Sequence, residues 1–258
     1  MGGVLQNSFD MWFVVFFSGM NGHSNVVDDL FVYALHYNTV QTLPIAMIAF
    51  ALWLTAPRGS RQADVMMTGF ITAVVVVGLA MASKLFLPAR PRPAALGIYP
   101  FLKDDFPFDW SSLPSDTLAI LSAFAAAMWT ANRRWGIVGI VICMVAAFAK
   151  MFAGYHYPTD ILIGVALGTG VFWSLWRYTR VGGQANTLVE KAYPRYPVAI
   201  TSALAFVAVS FGTLFADERV LLKYMLGKTS VSGQPSPASA AKAATPDQLV
   251  PAQLRPAE

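Results

Sequence analysis

Long apolar segments, separated by short polar connections, dominate the chain. Four of them approach the roughly 20 residues that an α-helix needs to cross a bilayer, and two more follow. The six segments cover residues 40–57, 64–87, 115–131, 135–153, 157–176 and 196–216. This pattern predicts an all-α fold, a polytopic transmembrane helical bundle with about six or seven membrane helices.

Two shorter apolar segments precede these spans, and each is too short to cross a bilayer alone. They read "FDMWFVVFFSGMNG" and "SNVVDDLFVYALHY", and the second contains Asp28 and Asp29. Segments of this kind are typical of helices that lie in the membrane interface. We expect a helical pair that is partly interfacial or re-entrant, unless the two merge into a first crossing.

The composition changes near residue 227, where Pro, Ala and Ser replace the apolar segments. Such a stretch lacks the apolar surface needed to fold. We therefore expect a membrane-embedded domain over residues 1–226 and a disordered tail over 227–258. The span at 196–216 and the tail carry no functional signal of their own.

The overall composition supports the membrane assignment. Hydrophobic residues make up 56% of the chain and charged residues only 12%, whereas a soluble domain usually carries about 25% charge. The first residues lack the basic segment and small-residue cleavage site of a signal peptide, so no cleaved leader is expected. The single cysteine, Cys143, excludes an internal disulfide and a thiolate metal cage. No basic cluster indicates a nucleic-acid partner.

The charged connections predict the orientation in the membrane. When the spans are counted, three basic connections fall on one side, which the positive-inside rule assigns to the cytoplasm. Their basic residues are Arg58, Arg61, Arg133, Arg134, Arg177, Arg180, Lys191 and Arg195. The loop 88–114 and the junction 153–157, which hold the unusual polar motifs, are then expected to face the periplasm or the exterior.

The first of these motifs is "YHYPTD", at the start of the span 157–176. If residues 157 onward are helical, His156 and Asp160 share a face, as residues i and i+4 do. A carboxylate beside an imidazole selects one tautomer and stabilises the imidazolium form, which leaves the other nitrogen for chemistry. The same sequence is also compatible with a histidine in the membrane interface followed by an aspartate that initiates the helix.

Two further motifs favour anion binding. "LPARPRPAA" places Arg90 and Arg92 directly after a span that ends near Lys84, and guanidinium groups suit phosphate oxygens. "SSLPSDTLAIL" places Ser115 and Asp116 at a helix start, where free N–H groups attract anions. Each motif taken alone is better explained by interfacial arginines or by simple helix capping.

Together the motifs indicate one site. All flank spans on the same predicted face, and Lys150 adds a cation six residues before His156. Cations and helix N-termini bind phosphate, and an imidazole can attack phosphorus as a covalent nucleophile. The sequence contains neither a phosphate-binding glycine loop nor a carboxylate cluster for a metal. We therefore predict metal-independent phosphoryl transfer at a membrane surface, with no cofactor.

These motifs resemble those of the type 2 phosphatidic acid phosphatase superfamily, and in particular its bacterial undecaprenyl-diphosphate phosphatase branch. The resemblance covers about residues 8–180 and rests on "FFSGMNGHSNVVDDLFVYAL", "RPRP", "LPSD" and "GYHYPTDIL" in the family's order. It implies a six-helix core in which His156 is the nucleophile, Asp160 orients it, and Arg92 and Ser115 bind phosphate. It also implies a bacterial inner-membrane location, with lipid as the partner.

The sequence departs from the family motifs at three places. Thr117 stands where the family has its acid histidine, Ala149-Lys150 replaces Ser-Arg, and Lys84 lies one residue off the family's spacing to Arg92. Threonine cannot act as an acid near neutral pH. His23, His36 or an Asp116 with a strongly raised pKa are the candidates to replace it.

Two hypotheses follow from these features. The first is a phosphatase that hydrolyses a polyprenyl diphosphate or related lipid phosphate through a phosphohistidine at the outer face. The second is a catalytically degenerate relative that binds lipid phosphates or serves as a partner protein. Transfer of the phosphoryl group to another lipid head group is a third possibility, and the sequence does not determine the lipid or the oligomeric state.

Overall fold

A computed structural model of the chain describes residues 7–24, 26, 28, 31, 38–97, 99 and 111–213. In this part of the chain every regular element is helical and there is no strand. The predicted all-α fold is therefore confirmed.

Eight α-helices and one 3₁₀ turn are described. They are α1 (Ser8–Met20), α2 (Asn38–Leu54), α3 (Arg61–Phe86), the 3₁₀ turn Pro93–Leu96, α4 (Asp116–Ala131), α5 (Arg133–Phe152), α6 (Pro158–Tyr178), α7 (Val181–Ala192) and α8 (Pro197–Gly212). Three have the length and composition to cross a membrane, at Arg61–Lys84, Arg133–Phe152 and Pro158–Tyr178. Shorter apolar helices occupy Ser8–Met20, Val40–Leu54, Asp116–Ala131 and Pro197–Gly212.

Helix α4 is the centre of the bundle. Every residue from Asp116 to Met128 is buried, and α3, α5 and α6 all pack against it. Two glycines of α6 let the backbones approach closely, because a methyl group at Gly164 would overlap the Ser115 carbonyl and one at Gly168 would overlap that of Ala119. Small residues serve this purpose in membrane helix pairs. The contact brings the start of α6 beside the start of α4.

The outer surface of the bundle is apolar. On α5, the side chains of Val141, Met144 and Val145 are each at least half exposed. Apolar side chains on this scale are suited to lipid rather than to water. The chain is an integral membrane protein on this evidence.

Helix α7 was not predicted by the sequence. It carries few apolar residues, so it lacks the signature of a span. It is held to α3 and α2 by polar contacts: the Asn186 amide donates to Asp64 Oδ1 at 2.9 Å, and the Trp53 indole donates to Asn186 Oδ1 at 2.9 Å.

The predictions for the chain ends have mixed outcomes. The first short segment forms α1, whereas most of the second, including Asp29, lies outside the described residues, as does the tail from residue 214. The segment near 196–216 forms α8, which packs into the bundle: Thr42 donates to the Gly212 carbonyl at 2.9 Å. The division into a domain and a disordered tail stays a prediction.

Candidate active site

The three polar motifs meet at one end of the bundle. The Ser112 N–H donates to the Arg90 carbonyl at 2.9 Å, and the Ser115 N–H donates to the Asp160 carbonyl at 3.1 Å. The Ala94 N–H donates to the carbonyl of Gly154 at 3.0 Å. The backbone thus connects the loop after α3, the loop before α4 and the junction between α5 and α6.

His156 lies buried at this meeting point, with 3% of its surface exposed. Its Nδ1 is 2.8 Å from the Ser112 carbonyl oxygen and 3.8 Å from Asp160 Oδ2. Because a carbonyl only accepts hydrogen bonds, Nδ1 must carry the proton. The unprotonated nitrogen of the neutral ring is then Nε2, the atom available as a nucleophile.

The surroundings keep this imidazole neutral. The pKa of His156 is lowered to about 4, mainly by burial and in addition by the positive charges of Arg92 and Lys150, while the contact with Asp160 opposes the shift. Burial disfavours the charged form of a histidine. At neutral pH the Nε2 lone pair is therefore available.

Asp160 is held in place from two directions. It is fully buried, and its Oδ2 accepts a hydrogen bond of 2.9 Å from the Tyr157 N–H at the start of α6. Its Oδ1 forms an ion pair of 2.5 Å with Arg90 Nη1. The predicted proximity of His156 and Asp160 is present at 3.8 Å, but His156 precedes the first residue of α6, and the Ser112 carbonyl is the closer partner of the imidazole.

Arg90 contacts carboxylates of the protein itself. In addition to Asp160, its Nη2 pairs with Asp10 of α1 at 2.5 Å, and its guanidinium lies 4.0 Å from the centre of the Tyr157 ring. Both terminal nitrogens are engaged in this structure, so the predicted contact with phosphate would require one of these bonds to exchange. Sequence reasoning missed Asp10, although a carboxylate within an apolar helix is a signal of a functional contact.

Two other cations lie next to His156. Arg92 Nη1 donates to the Tyr155 carbonyl at 3.1 Å, and the Arg92 guanidinium and Lys150 ammonium lie 5.6 Å and 5.9 Å from the Tyr155 ring centre. Both cations are at least 93% buried. The Oγ atoms of Ser112 and Ser115 are also buried, and neither has a hydrogen-bond partner within the described part of the chain.

The start of α4, where the sequence has Thr117 at the acid position, carries an ion pair. Lys84 Nζ lies 3.3 Å from Asp116 Oδ2, and Asp116 Oδ1 accepts a hydrogen bond of 2.7 Å from the Thr117 N–H. Of the two histidines proposed as substitutes, His23 is exposed and His36 lies outside the described residues.

An all-helical membrane bundle with a buried histidine beside cations is the arrangement that the sequence predicted for phosphoryl transfer at a membrane surface. Comparison with protein families matches residues 66–182 to the PAP2 superfamily. This segment is a PAP2 superfamily domain, and the family resemblance inferred from the sequence is confirmed. The match includes every predicted site residue from Lys84 to Asp160, and it excludes Asp10.

Curated relatives agree with this family. Undecaprenyl-diphosphatase BcrC of Bacillus subtilis is 24% identical over 68% of this chain and 86% of its own length. An undecaprenyl-diphosphatase of Sulfolobus acidocaldarius is 24% identical over 59% of this chain and 79% of its own. Putative undecaprenyl-diphosphatase YbjG of Escherichia coli is 30% identical over 48% of this chain and 61% of its own length. No solved structure matches the chain significantly. The relatives support a phosphatase of the PAP2 type.

Proposed function

We propose that this protein is a lipid phosphatase that hydrolyses a polyprenyl diphosphate, such as undecaprenyl diphosphate, at the outer face of a bacterial inner membrane. The observation that carries the proposal is the buried His156, whose Nδ1 is bonded to the Ser112 carbonyl at 2.8 Å beside the cations Arg92 and Lys150. The names of the distant relatives support the diphosphate substrate. The three basic connections on the predicted cytoplasmic side support a site that faces the outside of the membrane.

In the proposed reaction, His156 Nε2 attacks the terminal phosphorus of the diphosphate. The bond between this phosphorus and the bridging oxygen breaks, and the lipid monophosphate leaves with the bonding electrons. The ring, which keeps its Nδ1 proton, becomes a cationic phosphohistidine that the Asp160 carboxylate stabilises. Water then attacks the phosphorus, inorganic phosphate leaves, and the neutral imidazole returns with release of a proton.

The phosphoryl oxygens need donors throughout this reaction. Arg92 and Lys150 supply positive charge beside His156, and phosphate binds well to guanidinium groups. The Oγ atoms of Ser112 and Ser115 have no hydrogen-bond partner among the described residues, and buried polar groups are normally satisfied. We propose that phosphate oxygens accept hydrogen bonds from the two hydroxyls and from the N–H groups at the start of α4.

The substitution at Thr117 favours a diphosphate over a monoester. An alkoxide leaving group resembles hydroxide, since the pKa of bulk water is about 15.7, and therefore needs a proton in the transition state. A lipid monophosphate has a second pKa of about 6 and leaves without one. The Lys84 ammonium, which is paired with Asp116 at the start of α4, offers positive charge for the leaving phosphate.

The same substitution favours the alternative function, a degenerate protein that binds lipid phosphates without hydrolysing them. Phosphate release from farnesyl diphosphate by purified protein in detergent separates the two. We expect release in the presence of EDTA, its loss in His156→Ala, and no change in His23→Ala, which alters an exposed histidine. Binding of farnesyl diphosphate without release would favour the degenerate protein, and the appearance of a phosphorylated lipid acceptor would indicate phosphotransfer.

A further inference from the structure

Asp10 is a buried carboxylate in an otherwise apolar helix. It is fully buried within the α1 sequence "SFDMWFVVFFSGM". Its oxygens accept hydrogen bonds from the Thr159 N–H at 3.1 Å and the Thr159 hydroxyl at 2.7 Å, and it pairs with Arg90. A charge in such a position is costly unless it is paired, and it usually serves a function.

Arg90 connects Asp10 to the proposed catalytic pair. The guanidinium is planar and its two terminal nitrogens are fixed relative to each other. Nη2 contacts Asp10 and Nη1 contacts Asp160, both at 2.5 Å. The position of Asp10 therefore determines how Nη1 meets the Asp160 carboxylate, whose other oxygen faces His156.

The two carboxylates also share one positive charge. Without Asp10, the Arg90 guanidinium would neutralise Asp160 alone. Because Asp10 takes part of that charge, the group of three keeps one net negative charge when both carboxylates are ionised. A negative charge beside His156 stabilises the imidazolium that forms when Nε2 bonds to phosphorus.

We infer that Asp10 is a positioning residue of this active site, supplied by α1 from outside the family-matched segment 66–182. It orients Arg90, and through Arg90 it holds Asp160 in place and maintains its charge for the phosphohistidine step. The inference rests on the proposed phosphatase function. Asp10 does not contact the substrate in this account.

A purely structural role is the competing explanation, because Asp10 also joins α1 to the start of α6 through Thr159. The two roles predict different kinetics. Loss of a structural contact lowers the amount or stability of active protein, whereas loss of positioning lowers kcat for the folded protein with KM unchanged. Loss of positioning also shifts the acid limb of the pH–rate profile, which loss of a structural contact does not.

The test uses Asp10→Asn, a change from carboxylate to amide of similar shape, with phosphate release from farnesyl diphosphate as the assay. We expect kcat to fall by about 10- to 100-fold, by analogy with the loss caused by changing a residue that orients a metal-binding side chain, and KM to change less than about twofold. The acid limb of the pH–rate profile should move to lower pH. The negative charge of Asp10 favours the protonated form of His156, whereas Arg92 and Lys150 disfavour it, so removing that charge should lower the pKa of His156. Asp64→Asn is the matched control. Asp64 lies in the first turn of α3, at the end of the helix away from the site, and kcat of this variant should match the native value.

A double-mutant cycle with Arg90→Lys tests the proposed route. If Asp10 acts through Arg90, the double variant should be no worse than the more damaging single variant. Additive losses, or an unchanged kcat in a folded Asp10→Asn protein, would overturn the inference. If Asp10→Asn does not fold, Thr159→Val must lower kcat with KM unchanged, and an unchanged kcat there would also overturn it. Inactive native protein would instead refute the proposed phosphatase function on which the inference depends.

Discussion

Replacing Arg92 by lysine removes the planar fork of donors and keeps the positive charge. The guanidinium is buried and is oriented by the bond from its Nη1 to the Tyr155 carbonyl at 3.1 Å. A lysine ammonium cannot keep that bond and also donate to phosphate in the same geometry. We therefore expect the loss of at least one charge-assisted contact to the transferring phosphoryl group.

One such contact is worth about 1.5–3 kcal/mol. At about 1.4 kcal/mol for each factor of ten, kcat/KM for farnesyl diphosphate should fall by roughly 10- to 140-fold. The protein should remain folded, because the charge is kept and the change is confined to the site.

Lys84→Ala provides the comparison. It removes the ammonium that lies 3.3 Å from Asp116, and breaking a buried ion pair in this way typically costs about 3–5 kcal/mol of stability. We expect Lys84→Ala to lower thermal stability more than Arg92→Lys, and to lower kcat/KM of the folded fraction less. Steady-state kinetics and a thermal melt in the same detergent measure both quantities. A larger kcat/KM loss in Lys84→Ala would refute the assignment of Arg92 as the main phosphate ligand.

The remaining predictions concern the leaving group, the membrane face and pH. Native protein should turn over diphosphate lipids faster than phosphatidic acid. Thr117→His should raise the turnover of monoesters more than that of diphosphates, since acid catalysis contributes about 10²–10⁴-fold. Equal native rates on the two substrate classes would mean that another residue supplies the proton. In a Cys143→Ala background, an impermeant thiol reagent applied from outside should label Ala95→Cys but not Arg134→Cys, and the opposite pattern would reverse the assigned face. Activity should persist at pH 5 and fall as the pH drops through about 4, because His156 with its lowered pKa is protonated only there; an acid limb near 6.5 would contradict its burial.

The sequence predicted the parts of the site that local spacing determines. His156 and Asp160 are four residues apart around the start of α6, so the short spacing keeps them close, although His156 precedes the first helical residue, Pro158. The six predicted spans correspond to observed helices because continuous apolar segments have few alternatives in a membrane. Helix α7 was missed because it is held by polar contacts of Asn186 rather than by an apolar surface.

The rest of the site depends on distant contacts that spacing does not encode. Asp10 meets Arg90 and Thr159, which follow it by 80 and 149 residues. The Ser112 partner of His156 is a backbone carbonyl, which leaves no mark in the sequence. From the sequence alone, an Arg90 that pairs with two carboxylates of the protein looks the same as an Arg90 that binds phosphate.

Trapping the covalent intermediate tests the central claim most directly. Purified protein would be mixed with farnesyl diphosphate carrying ³²P in its terminal phosphate, quenched in alkali and separated by electrophoresis, with His156→Ala and His23→Ala treated in parallel. We expect label that is stable to alkali and labile to acid, as a phosphorus–nitrogen bond is, on the native and His23→Ala proteins. His156→Ala should carry no label. Phosphate release that persists in His156→Ala, or label that remains on that variant, would contradict His156 as the nucleophile.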